Sequence, residues 1–323
     1  MKEPFVAIVI PNHNSASVMY KGKPILKSCI ESLGKTSYKN YRIIIADNNS
    51  TDNSREMVNR YGHVDLAIKK TKERFGGIAR TNNFGIKYAL KKYKPDYILM
   101  YNTDMLVEDG LWLSKLVELA ESDSSTGMVG CKLLFPNGRI QHAGMVIGSD
   151  PHNRGWGERD GGQYDKVEEV SGITGALALI RGSVFRKVGF FDENFYNGMD
   201  DADFCIRVRD NGFKILYDGE VSIVHFEGFA STNSPNQRTR DDTFYGYQVS
   251  YAYFAYKDFT AVKRGAVLLQ QLSRCFFEWK GSSGSRGLSN IKLRDRKLWR
   301  LGVSLKAMAH ARKAYNEHPG LGQ

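Results

Sequence analysis

The sequence predicts an α/β fold with a mostly parallel central sheet flanked by helices, and the first hundred residues carry that prediction. Short apolar runs alternate with segments whose apolar residues recur at helical spacing. Strands that are apolar throughout are typical of parallel sheets covered on both faces. The predicted strands are "FVAIVI" (5–10), "RIIIA" (42–46), "VDLAI" (64–68) and "YILMY" (97–101), and the first predicted helix places Ile25, Leu26, Cys29, Ile30 and Leu33 on one face.

Polar loops follow three of these strands directly. They read "PNHNS", "DNNSTDNS" and "NTD". Because ligands of such sheets bind beyond the carboxyl ends of the strands, we expect the three loops to converge on one cleft. Further on, "GWGERDGGQYD" is rich in glycine, and a substrate loop is expected around residues 150–167. Trp156 in that loop either covers a sugar ring or packs against the protein.

Composition separates the last quarter of the chain from the rest. The net charge is +11, and residues 257–323 contain fourteen Lys or Arg against four Asp or Glu. We predict a catalytic domain at 1–235 and an aromatic-rich, basic helical extension at 236–323. The basic excess favours an anionic partner such as a membrane surface, a lipid-linked phosphate, an acidic glycan or nucleic acid, or it is a solvated helical face.

The expected location is the cytoplasm, with peripheral contact at the inner membrane surface. We find no apolar run long enough to span a bilayer, and the apolar run near the N-terminus reads as a strand and not as a signal peptide. Cys29, Cys131, Cys205 and Cys275 are scattered, without the spacing of a zinc site or a disulfide scaffold, so buried thiols are expected.

Asp47 closes the second predicted strand in "ADNNSTDNS". Ser50 or Thr51 can cap the helix that follows, which explains half of the motif. The carboxylate of Asp47 has no such role, and it is placed to accept a hydrogen bond from a pyrimidine imide or a ribose hydroxyl. In "GGIARTNN", Gly76 and Gly77 precede Arg80; a tight turn explains these glycines as well as nucleotide contact does. The motif is not G-x-G-x-x-G, which argues against a dinucleotide dehydrogenase.

"YNTD" ends the fourth strand with Asn102 and Asp104. Two oxygen donors at a strand end suit a hard divalent cation whose shell is completed by phosphates. His225, which ends a later β-rich run, is either a further metal ligand or a hydrogen-bonded histidine.

Three aspartates are crowded into "FYNGMDDADFCIRVRDNG" at the start of a predicted helix. The helix dipole can stabilise them, or a site can use them. Asp203 stands four residues before Arg207 and is expected to pair with it. For Asp201, we expect the neighbouring carboxylate and partial burial to raise the pKa.

Taken in order, these motifs resemble the inverting glycosyltransferases of family 2, which have the GT-A fold. The resemblance covers roughly residues 5–230 and also includes "GRIQHAG" and "SGITGALALIRGSVFRKVGFFDENF". It implies a nucleoside-diphosphate sugar donor, with UDP or dTDP favoured, a glycan or lipid-linked acceptor in cell-surface polysaccharide synthesis, and Mg²⁺ or Mn²⁺ as cofactor. It implies Asp201 as the general base, with Asp200 beside it.

The motifs and the resemblance together give the full set of candidate site residues. The nucleotide contacts would be Pro11, Asn12, Asn14, Asp47, Asn49, Gly77, Arg80, Asn83 and Asn102; the metal ligands Asp104 and His225; and the acceptor or sugar contacts Trp156 and Gly175. Two departures stand out, because Asp200 replaces the family's usual glutamate and Asn102 offers no charge to a metal. The rival hypothesis is a non-catalytic protein that binds carbohydrate or nucleotide sugar on the same fold. Nucleic-acid binding through the tail is not expected, since no recognisable module accompanies it.

Overall fold

The computed structural model describes residues 3–69, 77–148, 151–226, 237–273 and 297–317. The strands within these residues are β1 (Val6–Asn12), β2 (Met19–Tyr20), β3 (Lys23–Pro24), β4 (Tyr41–Asp47), β5 (Val64–Ile68), β6 (Tyr97–Tyr101), β7 (Met105–Leu106), β8 (Thr126–Leu134), β9 (Ile140–His142), β10 (Met145–Val146), β11 (His152–Asn153), β12 (Val167–Glu169), β13 (Leu177–Arg181) and β14 (Lys214–His225). Ten of these described strands form one sheet, in the order β12-β14-β8-β13-β6-β1-β4-β5, with β7 added to β14 and β9 to β8.

The four strands predicted in the first hundred residues are confirmed as β1, β4, β5 and β6. They are parallel neighbours, with β1 between β4 and β6 and β5 beyond β4. Every residue of β1 and β6 is buried, as expected for strands covered on both faces. In the second half of the sheet β14 runs parallel to β8, whereas β13 lies antiparallel between β6 and β8. The sheet is therefore mostly parallel through its centre, where β13 is reversed, and the short strands β7, β9 and β12 are antiparallel to their neighbours.

Helices cover both faces of the sheet. The helices are α1 (Ile25–Leu33), α2 (Ser54–Val58), α3 (Ile78–Tyr93), α4 (Trp112–Glu121), α5 (Gly182–Val188), α6 (Asp200–Asp210), α7 (Gln237–Asp258), α8 (Ala261–Ser273) and α9 (Lys297–Glu317). The buried sides of α1 and α4 share one core with the sheet, and those of α3, α5 and α6 share the other. The predicted apolar face of α1 is confirmed, since all five of its predicted residues are buried.

A third apolar cluster joins the C-terminal helices to the segment that leads into α6. It contains Phe195, Met199 and Ala202 together with residues of α7, α8 and α9. Nearly the whole circumference of α7 is covered, because every residue from 246 to 255 is buried. The aromatic-rich part of the predicted extension thus packs on the α/β unit and shares a core with it.

Parts of the predicted tail lie outside the described residues. These include Cys275, Trp279 and the connection "KGSSGSRG"; the side chain of Trp299 is likewise not described. The described thiols of Cys29, Cys131 and Cys205 are buried and unpaired, as predicted. Among the described helices, none combines the length and apolar character needed to cross a membrane.

Candidate active site

The carboxyl ends of β1 and β4 place Asn12 opposite Asp47. Asp47 is fully buried. One carboxylate oxygen accepts from Asn12 Nδ2 at 2.9 Å and from the Ser50 hydroxyl. The other accepts from the Ser50 amide at 3.1 Å and from Arg55 Nε at 2.9 Å. A carboxylate has about four acceptor positions, so these bonds engage Asp47 in organising its own loop. Contact with a nucleotide base stays a prediction, and it requires Ser50 or Arg55 to exchange its partner.

Two asparagines in these loops adopt left-handed backbone conformations, Asn14 with φ +56° and Asn49 with φ +55°. The Asn14 side-chain carbonyl accepts hydrogen bonds from the Thr51 amide at 2.7 Å and the Asp52 amide at 3.3 Å. It thereby ties the first loop to the second. Pro11 is buried within β1, whereas Asn49 and Thr51 are exposed at the loop surface. The nucleotide contacts expected of Pro11, Asn14 and Asn49 stay predictions.

The ends of β6 and β14 meet because β7 pairs with β14, with Met105 opposite His225. His225 Nε2 lies 3.2 Å from Asp104 Oδ1 and 3.5 Å from Asn102 Nδ2. The three loops expected to form one cleft thus end at one edge of the sheet. Gln141 also belongs to this cluster, although the sequence offered no signal for its role beyond its place in "GRIQHAG".

Gln141 determines which ring nitrogen of His225 carries a proton. Its amide nitrogen donates to the His225 carbonyl at 3.4 Å, which turns its oxygen toward His225 Nδ1 at 2.6 Å. Nδ1 therefore carries a proton and donates it to Gln141. The second ring nitrogen, Nε2, is then directed at a carboxylate oxygen of Asp104, and a cation between the two, either a proton or a metal ion, satisfies both.

This donor set fits a hard divalent cation. A carboxylate oxygen is a normal ligand for Mn²⁺, and an imidazole whose other nitrogen is held by a hydrogen bond is oriented to bind a metal ion. Within the described residues no group of three or more His, Cys, Asp or Glu side chains forms a metal cluster. Asp104 and His225 would therefore bind the ion with its remaining positions left to ligand oxygens, as is usual for ions that bridge phosphates.

Asp200 and Asp201 form the first turn of α6, directly after Met199, whose φ is +67°. Asp201 Oδ2 accepts a hydrogen bond from the Gly175 amide at 3.0 Å, and its Oδ1 accepts from the Ala202 amide at 2.9 Å. Gly175 therefore orients Asp201 through its backbone N–H. Sequence reasoning named the residue but not this function.

The two neighbouring carboxyl groups titrate as a pair. Burial and the adjacent Asp201 raise the pKa of Asp200 to about 8, and burial also raises the pKa of Asp201, against its hydrogen bond from Gly175. The direct hydrogen bonds to Asp201 favour its ionised form, whereas burial and the neighbouring charges favour the protonated form of Asp200. Asp201 is then the group that can accept a proton.

Asp203 has the partner that the sequence predicted. Its carboxylate lies 2.9 Å from the Arg207 guanidinium, four residues later in α6. Asp203 is also fully buried and pairs with Lys257, a contact that the sequence did not indicate.

Gly77, Arg80 and Asn83 lie against the segment before α6. A Cβ on Gly77 would come within 2.7 Å of the Phe195 carbonyl oxygen, so only glycine allows this approach. Arg80 Nε donates to the Glu193 carbonyl at 3.3 Å. The Asn83 amide group donates to Glu193 Oε1 at 3.0 Å and is buried. These contacts give the three residues a structural role, and their contact with a nucleotide stays a prediction.

The glycine-rich loop after β11 is held to the sheet by charge. Lys132, buried in β8, pairs with Asp160 at 2.9 Å and also with Asp165. The Trp156 ring is half-buried and packs edge-on against Phe135, with ring centroids 4.9 Å apart. Of the two interpretations of Trp156, the structure supports packing, and contact with a sugar stays a prediction.

A match to a family model covers residues 7–189, and the family is described as glycosyl transferase family 2. The matched range includes the strands and loops that carry Asp47, Asn102 and Asp104. The chain belongs to glycosyl transferase family 2.

Named relatives of this glycosyltransferase include an O-antigen biosynthesis protein and a rhamnosyltransferase. The chain is 28% identical over 234 residues to the O-antigen biosynthesis protein RfbC of Myxococcus xanthus, covering 69% of this chain and 17% of that protein. It is 23% identical over 245 residues to the N-acetylglucosaminyl-diphospho-decaprenol L-rhamnosyltransferase of Mycobacterium tuberculosis, covering 68% of this chain and 77% of that one. The chain therefore spans only a small part of some of its curated relatives.

Solved structures agree on the fold of this glycosyltransferase. The mannosyltransferase PcManGT from Pyrobaculum calidifontis, in complex with GDP-Man and Mn²⁺, superposes with a TM-score of 0.53 at 17% identity, covering 97% of this chain and 76% of that one. The predicted GT-A fold is confirmed.

The raised pKa of Asp200 leads to a prediction about stability. The native glycosyltransferase keeps this proton up to about pH 8, whereas the unfolded chain releases it near the ordinary value of 3.8. The native state therefore loses stability as pH rises through that interval. Asp200→Asn removes the titrating group. We expect the Tm of the variant minus the Tm of the wild type to be larger at about pH 9 than at about pH 5, by roughly 3–5 °C.

The matched control is Asp210→Asn, which makes the same change at the exposed end of α6. Its Tm should follow that of the wild type at both pH values. An Asp200→Asn variant whose Tm difference from the wild type is the same at both pH values would show that Asp200 is not held protonated.

Proposed function

We propose that this protein is an inverting, metal-dependent glycosyltransferase that moves a sugar from a nucleoside-diphosphate donor to an acceptor hydroxyl, with Asp201 as general base. One observation carries the proposal. Adjacent residues of one backbone segment hydrogen-bond to both halves of the site: the Gly175 amide donates to Asp201, and the Ala176 carbonyl accepts from the Asn102 amide at 3.0 Å. The candidate base and the loop of the candidate metal ligands are therefore joined through two residues.

The chemistry follows from this arrangement. Asp104 and His225 would hold Mg²⁺ or Mn²⁺, which when bound supplies positive charge to the leaving diphosphate. The oxygen of the acceptor hydroxyl attacks the anomeric carbon from the face opposite the diphosphate, and Asp201 accepts the proton of that hydroxyl. The bond to the diphosphate breaks as the new bond forms, and this direct displacement inverts the anomer. Because Asp200 is protonated at neutral pH, no second negative charge lies beside Asp201. Gly175 keeps the Asp201 carboxylate oriented during proton transfer.

The substrates are proposed from the loop chemistry and from the relatives. The loop around Asp47, Asn49 and Asn14 is the proposed nucleotide contact, and a UDP- or dTDP-sugar is the favoured donor. A glycan or lipid-linked acceptor in cell-surface polysaccharide synthesis agrees with the names of the Myxococcus and Mycobacterium relatives. We propose 1–235 as the catalytic domain and 236–323 as an extension that brings the enzyme to the cytoplasmic membrane surface.

Donor binding can be tested by the thermal stability of the purified protein with UDP, dTDP, GDP, ADP and CMP, each with and without Mn²⁺. A ligand that binds only the folded state raises Tm, and at about 100 times its Kd it stabilises by about 2.7 kcal/mol. We expect a Mn²⁺-dependent rise of several degrees with UDP or dTDP. If GDP is the one nucleotide that gives this rise, the donor is a GDP-sugar and not a UDP- or dTDP-sugar.

The matched controls are Mn²⁺ alone and each nucleotide with EDTA. If folded protein shows no shift with any nucleotide, the proposed donor site is wrong. Binding without turnover of any corresponding donor sugar would favour the rival hypothesis of a non-catalytic binding protein.

A further inference from the structure

Lys257 is a buried cation near the end of α7. Its Nζ lies 2.8 Å from Asp192 Oδ2 and 2.5 Å from Asp203 Oδ1, and its side chain is only 7% exposed. Burying an ammonium group is costly unless it is well paired, so these two carboxylates are its specific partners. They come from different places, since Asp192 precedes α6 and Asp203 lies within it.

Through Asp203 this cation acts on the helix that carries the candidate base. Asp203 lies in the same first turn of α6 as Asp200 and Asp201, and its negative charge is one of the factors that raise the pKa of Asp200. Lys257 and Arg207 together balance that charge. Removing Lys257 would leave Asp203 with one cation instead of two and would strengthen its field at the carboxyl pair.

Through Asp192 the same cation acts on the segment that enters α6. The Tyr253 hydroxyl donates to Asp192 at 3.1 Å, and one turn earlier in α7 the Ser250 hydroxyl oxygen accepts from the amides of Tyr196 and Asn197, both at 2.9 Å. Helix α7 therefore contacts the segment that enters α6 at two places, at Asp192 and at Tyr196–Asn197.

The segment ends in a backbone that needs such support. Gly198 and Met199 have φ of +77° and +67°, and a left-handed methionine persists only where its surroundings impose it. The Met199 side chain is buried in the apolar cluster that includes Tyr247 of α7. The direction in which Asp200 and Asp201 leave this turn thus depends on α7.

We propose that Lys257 is a positioning residue for transfer: by bridging Asp192 and Asp203 it holds the start of α6 so that Asp201 meets the acceptor hydroxyl. Lys257 itself contacts no substrate. This inference rests on the proposed function, in which Asp201 is the base. The charged groups that face Lys257 are Asp192 from the entering segment, Asp203 and Arg207 from α6, and Asp258 beside it in α7.

The test compares Lys257→Met with Lys257→Arg, which keeps the charge, and with Lys306→Met, the same change as Lys257→Met at an exposed position of α9. Loss of alignment at a reacting group lowers kcat, and we expect a fall of roughly 10- to 100-fold in Lys257→Met with the donor KM changed by less than about twofold. Because a positive charge is lost beside Asp203, the acid limb of the pH–rate profile should move to higher pH. Lys257→Arg should keep most of kcat, and Lys306→Met should match the wild type.

A double variant distinguishes the effect of the lost charge from the effect of lost packing. It also replaces Lys257→Met in the test if that variant does not fold. In Lys257→Gln/Asp203→Asn the opposing charge is removed as well, so the acid limb should return toward the wild-type position. A wild-type kcat and pH profile in Lys257→Met, or no return in the double variant, would overturn the positioning role.

Asp201→Asn is measured in parallel. If it retains wild-type kcat, the proposed function fails whatever Lys257 does. If it loses activity while Lys257→Met does not, only the inference about Lys257 fails.

Discussion

Replacing Asp201 with asparagine is expected to lower kcat by roughly 10³- to 10⁴-fold while donor binding is retained. The asparagine side chain keeps the shape of the aspartate, and its carbonyl oxygen can still accept the hydrogen bond that the Gly175 amide donates at 3.0 Å. It cannot take a proton from the acceptor hydroxyl. The measurement is the initial rate of sugar transfer at saturating donor, together with the Mn²⁺-dependent rise in Tm caused by the nucleotide.

The control for this variant is again Asp210→Asn at the far end of α6. It should transfer sugar at the wild-type rate. A variant at Asp201 that retains more than about a tenth of kcat would exclude proton acceptance by this carboxylate as a main contribution.

If Asp104 holds a metal ion as proposed, replacing it with asparagine is expected to remove the metal dependence of sugar transfer. Asp104 supplies the carboxylate that faces His225 Nε2 at 3.2 Å, and an amide oxygen carries no charge to hold the ion. We expect kcat/KM to fall on the order of 10²- to 10³-fold, since the leaving diphosphate loses its main electrostatic partner. The rise in Tm with nucleotide plus Mn²⁺ should shrink to that seen with EDTA.

The matched change is Asp109→Asn, an exposed carboxylate five residues later that pairs with Lys115. It should leave both the rate and the metal titration unchanged. If Asp104→Asn keeps the wild-type Mn²⁺ titration, the assignment of this loop as the metal site is wrong.

The first half of the sheet could be predicted from the sequence because buried parallel strands consist almost entirely of apolar residues. β5 and β6 have the predicted bounds, β4 extends the predicted run by one residue at each end, and β1 begins one residue later and ends two residues later than predicted. The meeting of Asp104 and His225 could be anticipated only in part. Both residues end β-rich runs, but the short strand β7 that brings them together has two residues and leaves no pattern.

The rest depended on contacts between distant parts of the chain. The partners of Lys257 lie 65 and 54 positions earlier at Asp192 and Asp203, and a lysine next to an aspartate in an aromatic helix reads as an ordinary exposed charge. Residues 246–255 of α7 gave no amphipathic signal because all of them are buried. The saturation of Asp47 by its own loop was likewise hidden, since a capping motif and a ligand-binding motif use the same residue types.

The left-handed turn at Met199 has a consequence for the order in which the enzyme becomes active during translation. A growing chain emerges from the ribosome N-terminus first, so the loops of Asp47 and Asp104 can fold before residues 237–258 have been made. The contacts from Ser250, Tyr247 and Lys257 that support the turn arrive only with α7. Under the proposed function, a nascent chain that already exposes the loops of Asp47 and Asp104 lacks an aligned Asp201 until residues 237–258 have been made.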